Sequence, residues 1–252
     1  MDAFLILGTR FSGRRAALLD LISRGVCGEP RVAVMLSESE GEGEFDSTIK
    51  NLAQFIRYSS PENAREIVEN LGGGADVLFF VADSYRNLAD SVEDFKKMCD
   101  AGIVRLVRII GVFDCALYAS DFDGLAGYFD AVSHFSDCVL LSNRSGVKGG
   151  DVNKIRKRYE AACAPHIFQL EMKDGRLENP AAILVDEARR LSMAFDDYDP
   201  LDELELDEDT LPEEPFSIEK KPDPYFERLE NGARAKPVLD VSKIAEDFKN
   251  GK

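Results

Sequence analysis

The chain has 252 residues, of which 44% are hydrophobic, and that length can bury a substantial core in one or two domains. Its formal net charge of −16 at pH 7 disfavours nucleic acid and anionic membranes as general partners. The five cysteines are odd in number and scattered, and we recognise neither a signal peptide nor a membrane-spanning run, so the sequence predicts a protein of the reducing cytoplasm.

Short apolar runs alternate with helical patterns along residues 1–195. The predicted strands are Ala3–Leu7, Arg31–Leu36, Asp76–Ala82, Ile103–Phe113, Cys138–Ser142 and His166–Leu170. The predicted helices are Arg14–Ser23, Pro61–Leu71, Leu88–Ala101, Asp123–Phe135, Asp151–Cys163 and Pro180–Phe195. Several strands are apolar without alternation, as expected where helices cover both faces of a parallel sheet. We therefore expect a three-layer α/β/α domain with a mostly parallel sheet.

Beyond residue 195 this pattern stops and the composition changes. Residues 196–252 hold six of the ten prolines, with eighteen acidic and eight basic residues. Such a composition predicts a mostly disordered acidic tail, and we expect a protein partner to bind through it. Val241, Ile244 and Phe248 recur at helical spacing, so the end of the tail is either frayed or a short helix near residues 238–249.

The most informative motif joins the first strand to the first helix. Gly8 and Gly13 stand at the spacing of the phosphate-binding P-loop G-x-x-x-x-G-K-[ST], with Thr9, Arg10 and Ser12 between them. In a working loop the backbone N–H groups cradle phosphates, the lysine reaches the β- and γ-phosphates, and the hydroxyl holds Mg²⁺.

Two arginines replace the functional side chains of that motif. Arg14 takes the lysine position and Arg15 the Ser/Thr position. An arginine fork suits phosphate oxygens, but a second arginine cannot ligate Mg²⁺. The sequence therefore predicts one of two things at Gly8–Arg15. It is an anion site, with GTP or another phosphate as the candidate ligand, or it is a tight turn with solvated arginines.

Three further sequence motifs occur in the same order as in one protein family. Val32–Asp46 is close to V-A-V-x-x-N-E-x-G-E-x-G-x-D, Gly111–Ala116 resembles V-V-D-A, and Phe135–Ser142 resembles A-D-x-I-x-L. With the P-loop outline, almost all of residues 1–195 resembles the CobW/HypB/UreG class of P-loop GTPases, the nucleotide-dependent metal chaperones.

This resemblance implies a P-loop NTPase fold and adds three residues to the candidate nucleotide site. Asn143 falls in the guanine-reading motif. Glu38 and Asp114 lie near the ends of predicted strands, and open α/β sheets bind ligands at the carboxyl ends of their strands.

The chain departs from that family at its functional motifs. The metal-binding C-x-C-C falls on Phe55–Ser59, which holds no cysteine, so we expect no zinc site and assign no metal ligand. The third-strand motif falls on Phe79–Ser84 without its glycine, and the guanine-reading aspartate is missing at Ser142–Gly146. Phosphoryl transfer depends on positioned Mg²⁺ and cations. We therefore expect weak Mg²⁺ binding, little or no GTP hydrolysis and no catalytic residue.

Three functions stay open on this evidence. The first is a nucleotide- or phosphate-responsive binding protein that uses Gly8–Arg15. The second is a nucleotide-independent interaction scaffold, in which the old site is only a turn. The third is a divergent active GTPase or metal chaperone, which needs Glu38 or Asp83 for Mg²⁺. The acidic stretch Glu38–Asp46 is either a metal-binding loop or a solvated one. The two histidines, His134 and His166, are predicted to be structural.

Overall fold

Apolar runs become the strands of one parallel sheet. The computed structural model describes residues 1–171, 175–196 and 222–251. The strands lie side by side in the order β3-β2-β4-β1-β5-β6-β7, and every pairing is parallel. Their bounds are β1 Asp2–Gly8, β2 Val32–Ser37, β3 Gln54–Tyr58, β4 Val77–Val81, β5 Arg105–Asp114, β6 Cys138–Ser142 and β7 Ile167–Leu170. The predicted parallel α/β sheet is confirmed.

Helices cover both faces of the sheet. Those of the described residues are α1 Arg14–Asp20, α2 Asp46–Lys50, α3 Pro61–Leu71, α4 Leu88–Asp100, α5 Cys115–Ser120, α6 Ala126–Phe135, α7 Gly149–Ala161, α8 Pro180–Ile183 and α9 Ser242–Lys249. Helices α1, α2 and α8 pack on one face, and α3 to α7 pack on the other. The result is the predicted three-layer arrangement. None of the helices in the described ranges is long and apolar enough to cross a membrane.

Local sequence explains where two of the helices begin. The Ser60 hydroxyl accepts a hydrogen bond from the Asn63 backbone N–H at 3.1 Å, and Pro61 lies in the first turn of α3. The Asn87 side chain accepts a bond from the Ala89 backbone N–H at 3.0 Å. Such caps satisfy N–H groups that have no partner inside the helix, so α3 and α4 begin where the sequence predicts.

The structure corrects the sequence analysis in four elements. Strand β3 and helices α2 and α5 are not among the predicted elements, and the helix predicted over Pro180–Phe195 ends at Ile183. Strand β3 lies at the edge of the sheet, where the continuous apolar run of a central strand is not required. Beyond Ile183, the buried Asp137 carboxylate accepts a hydrogen bond from the Arg189 backbone N–H at 2.7 Å. That bond holds the chain in an irregular path against the sheet.

The segment after residue 195 divides into two parts. Residues 197–221, which carry most of the acidic run, lie outside the described residues, so the prediction of disorder there stays a prediction. Residues 222–251 pack on the body through the buried side chains Tyr225, Val238, Val241 and Ala245. Helix α9 matches the predicted short helix. The tail thus has a docked end, and the predicted boundary at 195 does not separate this end from the core.

Candidate functional site

The predicted site residues lie along one edge of the sheet. The loop Gly8–Gly13 follows the central strand β1, and Asp114 is the last residue of β5. Glu38 and Asn143 come directly after β2 and β6. In parallel α/β sheets the carboxyl ends of the strands form the ligand-binding edge. The fold therefore places Gly8–Gly13, Glu38, Asp114 and Asn143 at this edge of the sheet.

The loop has the backbone shape that its glycines predict. Gly8 has a φ of +139°, and a Cβ at that position would lie 2.7 Å from the Val112 carbonyl oxygen. Gly13 has a φ of +87° and begins α1 with no side-chain cap. Between them, the Ser12 hydroxyl donates to the Thr9 carbonyl at 2.8 Å. Only glycine adopts these conformations without strain, so both positions are required for the turn.

Arg14, in the position of the P-loop lysine, is enclosed by the protein and only 2% exposed. Its Nε donates to the Thr9 carbonyl at 3.0 Å, and one terminal nitrogen donates to the Ala82 carbonyl at 2.6 Å. The other terminal nitrogen donates to Glu40 Oε1 at 2.7 Å. The interpretation of this residue as a solvated arginine is therefore wrong, because each of the three guanidinium nitrogens already has an acceptor inside the protein.

Glu40 comes from the stretch that the sequence assigns to a metal-binding or solvated loop, yet it is only 1% exposed. Its Oε1 accepts both from Arg14 and from the Ser84 backbone N–H, the latter at 3.1 Å. A P-loop lysine reaches the β- and γ-phosphates of the nucleotide. In this chain the side chain at that position, Arg14, binds an internal carboxylate.

Arg15 belongs to a second ionic cluster. One terminal nitrogen donates to the Gly41 carbonyl at 2.8 Å, and Nε lies 3.4 Å from Asp46 Oδ1. The buried Asp46 also accepts a bond from Arg57 at 2.7 Å. Burial lowers the pKa of Arg15, while Asp46 and Glu40 act in the opposite direction. A cation paired with the Asp46 carboxylate thus stands where a working loop places its Mg²⁺-binding hydroxyl.

Arg10 lies at the rim of the loop and is bound to the C-terminal helix. Its guanidinium donates to the Tyr85 hydroxyl, packs over the Phe11 ring at 5.0 Å and lies 3.5 Å from Glu246 of α9. The Tyr85 hydroxyl in turn donates to Glu246. All three loop arginines, Arg10, Arg14 and Arg15, are therefore paired with carboxylates of the same chain.

A cavity of about 210 Å³ lies on the other side of the loop, between the β5–β6 end of the sheet and α9. Asp114 and Asn143 line it, and the Asn143 side chain donates to Asp114 Oδ2 at 2.7 Å and to the Phe11 carbonyl at 2.8 Å. Burial raises the pKa of Asp114. Helix α9 closes this cavity with Ala245, Phe248 and Lys249.

Glu38 lies apart from the loop. It is exposed, and none of the contacts in the described part of the chain joins its carboxylate to Gly8–Arg15. Asp83, the other carboxylate weighed for Mg²⁺, accepts bonds from the Ser37 and Ser39 hydroxyls, both at 2.8 Å. Within residues 1–171, 175–196 and 222–251 there is no group of three or more His, Cys, Asp and Glu side chains that could hold a metal ion.

The two histidines have the structural surroundings predicted for them. His134 Nε2 lies 2.8 Å from Asp223 Oδ2, which links α6 to the C-terminal segment. His166 is buried beside the rings of Tyr159 and Phe168.

Sequence reasoning missed Glu40, Ser84, Tyr85 and Glu246 as parts of this edge. Glu40 is one of five acidic residues between positions 38 and 46, and no local signal separates it from the others. Glu246 lies 161 positions from its partner Tyr85. Spacing within a motif carries no information about contacts of that range.

Comparison with known proteins supports the fold. No protein-family model and no curated protein sequence matches the chain. Among solved structures, a Zn(II)-bound triple mutant of the YjiA GTPase aligns with a TM-score of 0.51 at 17% sequence identity, over 78% of this chain and 68% of that one. Zn(II)-bound YjiA GTPase from E. coli aligns with a TM-score of 0.49 at 15% identity, over 74% of this chain and 61% of that one. This likeness shows that the chain has an α/β P-loop NTPase-like fold.

Proposed function

We propose that this chain is a pseudo-GTPase, a protein-binding module whose nucleotide site is closed by its own side chains. The observation that carries the proposal is the ion pair between Arg14 and Glu40, with an N···O distance of 2.7 Å and side-chain exposures of 1% and 2%. To contact Arg14, a phosphate must displace a carboxylate that the arginine already binds.

That displacement is costly. Breaking a buried pair leaves an uncompensated charge, which costs about 3–5 kcal/mol. Since 1.4 kcal/mol changes a dissociation constant tenfold, a cost of about 4 kcal/mol weakens nucleotide binding by roughly a thousandfold. A bound phosphate recovers part of this cost through Arg14, but only if Glu40 leaves the site or tolerates a second anion beside it.

Two further features of the same edge support the proposal. Arg10 and Arg15 are also paired internally, with Glu246 and Asp46, so the loop has little uncompensated positive charge to offer a triphosphate. Helix α9 closes the cavity beside Asn143, the residue that the resemblance assigns to base recognition. These contacts favour the nucleotide-independent hypothesis over the phosphate-responsive one.

The proposed ligand is a protein, for two reasons. The segment after residue 195 is strongly acidic, and acidic segments commonly serve as interaction tails. The docked end of that segment also carries large apolar side chains that face solvent: Leu239, Ile244 and Phe248 are 41%, 42% and 39% exposed. Ile244 and Phe248 are four residues apart in α9 and so lie on the same side of this helix. Exposed apolar side chains that lie together mark binding surfaces.

Nucleotide titration of three proteins tests the proposal. GTP, GDP, ATP and inorganic phosphate are added with and without Mg²⁺ to wild type, to Glu40→Gln and to the control Glu44→Gln, which alters an exposed acid of the same loop. We expect no thermal shift for wild type or the control at millimolar ligand. Glu40→Gln should gain saturable anion binding, because it removes the competing charge.

Two outcomes contradict the proposal. Saturable binding of a nucleotide or phosphate to wild type restores the phosphate-responsive hypothesis. Mg²⁺-dependent phosphate release faster than in buffer restores the active-GTPase hypothesis.

A further inference from the structure

Helices α3 and α4 leave a cavity of about 160 Å³ between them, next to β3 and β4. The Tyr58 and Phe80 rings stack with their centroids 5.2 Å apart, and the centroids of the Phe80 and Phe95 rings are 5.4 Å apart. Ala64 and Met98 add to the apolar wall. An apolar cavity of about 150 Å³ in another protein binds benzene. This cavity therefore has room for a branched aliphatic or aromatic side chain.

A buried hydroxyl without a partner lies in the wall of this cavity. Ser91 is 6% exposed, and its Oγ has no hydrogen-bond partner among the described residues. It shares one face of α4 with Asp94, Phe95 and Met98, since these positions are three, four and seven residues further along the helix. An unpaired buried hydroxyl is destabilising, so Ser91 favours an occupant that offers it a hydrogen bond.

The mouth of the cavity carries both signs of charge. Arg86 pairs with Asp94 at 2.5 Å, and its charge also acts on the Glu62 carboxyl. It is 35% exposed, so N–H donors stay accessible beside the cavity. The Asp83 carboxylate also lines the mouth. A guanidinium suits a carboxylate ligand, and a carboxylate suits an ammonium group. Asp94 is also paired with Lys97 at 2.8 Å, and Asp83 accepts from the Tyr85 N–H as well as from two serines, so an ammonium group adds to these contacts. The mouth is therefore complementary to a zwitterion.

We propose that this cavity binds a free amino acid with an apolar side chain of leucine to phenylalanine size. The side chain enters the cavity between Phe80, Phe95 and Met98. The α-carboxylate binds Arg86, the α-ammonium group faces the acidic side of the mouth, and Ser91 supplies a further hydrogen bond. This site is separate from the P-loop, so the inference does not depend on whether a nucleotide binds.

The site also adjoins the closed edge of the sheet. Asp83 accepts bonds from Ser37 and Ser39 at the end of β2, and the neighbouring Ser84 N–H donates to Glu40. These bonds connect Asp83 to the segment that holds the Arg14–Glu40 pair. The amino acid is thus placed to influence that edge without entering it.

Calorimetry and NMR of ¹³C-methyl methionine test the proposal with defined probes. The chain has five methionines, and a Met98→Leu variant assigns the Met98 signal. The probes are L-leucine, L-phenylalanine, glycine, 4-methylpentanoate, isopentylamine and N-acetyl-leucinamide. We expect leucine or phenylalanine to bind saturably and shift Met98, and every analogue that lacks the ammonium, the carboxylate or the side chain to bind at least about tenfold more weakly.

Variants locate the binding. Ser91→Leu fills the cavity and should abolish binding, and Arg86→Gln should weaken it at least about tenfold. Arg65→Gln is the control, because Arg65 pairs with Glu69 on the exposed side of α3. If Ser91→Leu does not fold, Arg86→Gln and the analogue series carry the test.

Three results overturn the proposal. They are the absence of a Met98 shift with any amino acid at millimolar concentration, equal binding of 4-methylpentanoate and leucine, and binding that survives both cavity variants. Since no nucleotide enters the assay, these results are distinguishable from failure of the pseudo-GTPase proposal.

Discussion

The Arg14–Glu40 pair makes a quantitative prediction about stability. Both side chains are almost fully buried, so removing either partner by Glu40→Leu or Arg14→Met should reduce the free energy of unfolding by about 3–5 kcal/mol. Replacing both with apolar groups removes the unpaired charge. The double variant then loses mainly three bonds, at about 1 kcal/mol each: those from Arg14 to the Thr9 and Ala82 carbonyls and that from the Ser84 N–H to Glu40.

We therefore expect the double variant to be more stable than either single variant, with a coupling energy above about 2 kcal/mol. Urea unfolding followed by far-UV circular dichroism measures these free energies, since the chain has no tryptophan for fluorescence. The control cycle is Arg65→Met with Glu69→Leu, an exposed pair on α3 with side-chain exposures of 51% and 47%. Its coupling should not exceed about 0.5 kcal/mol.

Additive losses in the Arg14–Glu40 cycle would refute the reasoning. They would mean that each charge is solvated when its partner is removed, and hence that the phosphate end of the site is open to water. The pseudo-GTPase proposal would then lose the observation that carries it.

Three further predictions follow from other parts of the structure. Gly8→Ala should reduce the free energy of unfolding in urea by roughly 1–3 kcal/mol, because Gly8 has a positive φ and lies close to the Val112 carbonyl. The control Gly73→Ala, at a position with open space around it, should not destabilise the protein. Equal effects of the two variants would contradict the loop geometry. Burial lowers the pKa of His166 from 6.5 to about 4, so the unfolded chain takes up a proton at this side chain first as the pH falls. The free energy of unfolding should therefore be unaffected by His166 above pH 6.5 and decrease between pH 6.5 and 4. His166→Gln should flatten this decrease, and an unchanged slope would exclude the effect. Tyr225→Ala should cost about 3 kcal/mol in the same assay, and an unchanged midpoint would mean that residues 222–251 do not dock on the body.

Much of the fold could be predicted from the sequence, because its signals are local. The run Val77–Val81 identifies a strand covered on both faces, and Pro61 with the Ser60 cap marks the start of α3. The edge strand β3 is not among the predicted strands, since it need not be apolar throughout. Helix α8 is shorter than predicted because Asp137 binds the backbone beyond its end.

The sequence by itself determined the parallel α/β class and the position and shape of the P-loop, since periodic apolar residues and glycines act on their immediate neighbours in the chain. It left open whether the loop arginines face solvent, a phosphate or the protein. Arg14 and Glu40 are 26 positions apart, and Arg10 meets Glu246 from the far end of the chain. An ion pair depends on distance and burial after folding, and only the tertiary structure decides which of many acidic residues reaches a given arginine.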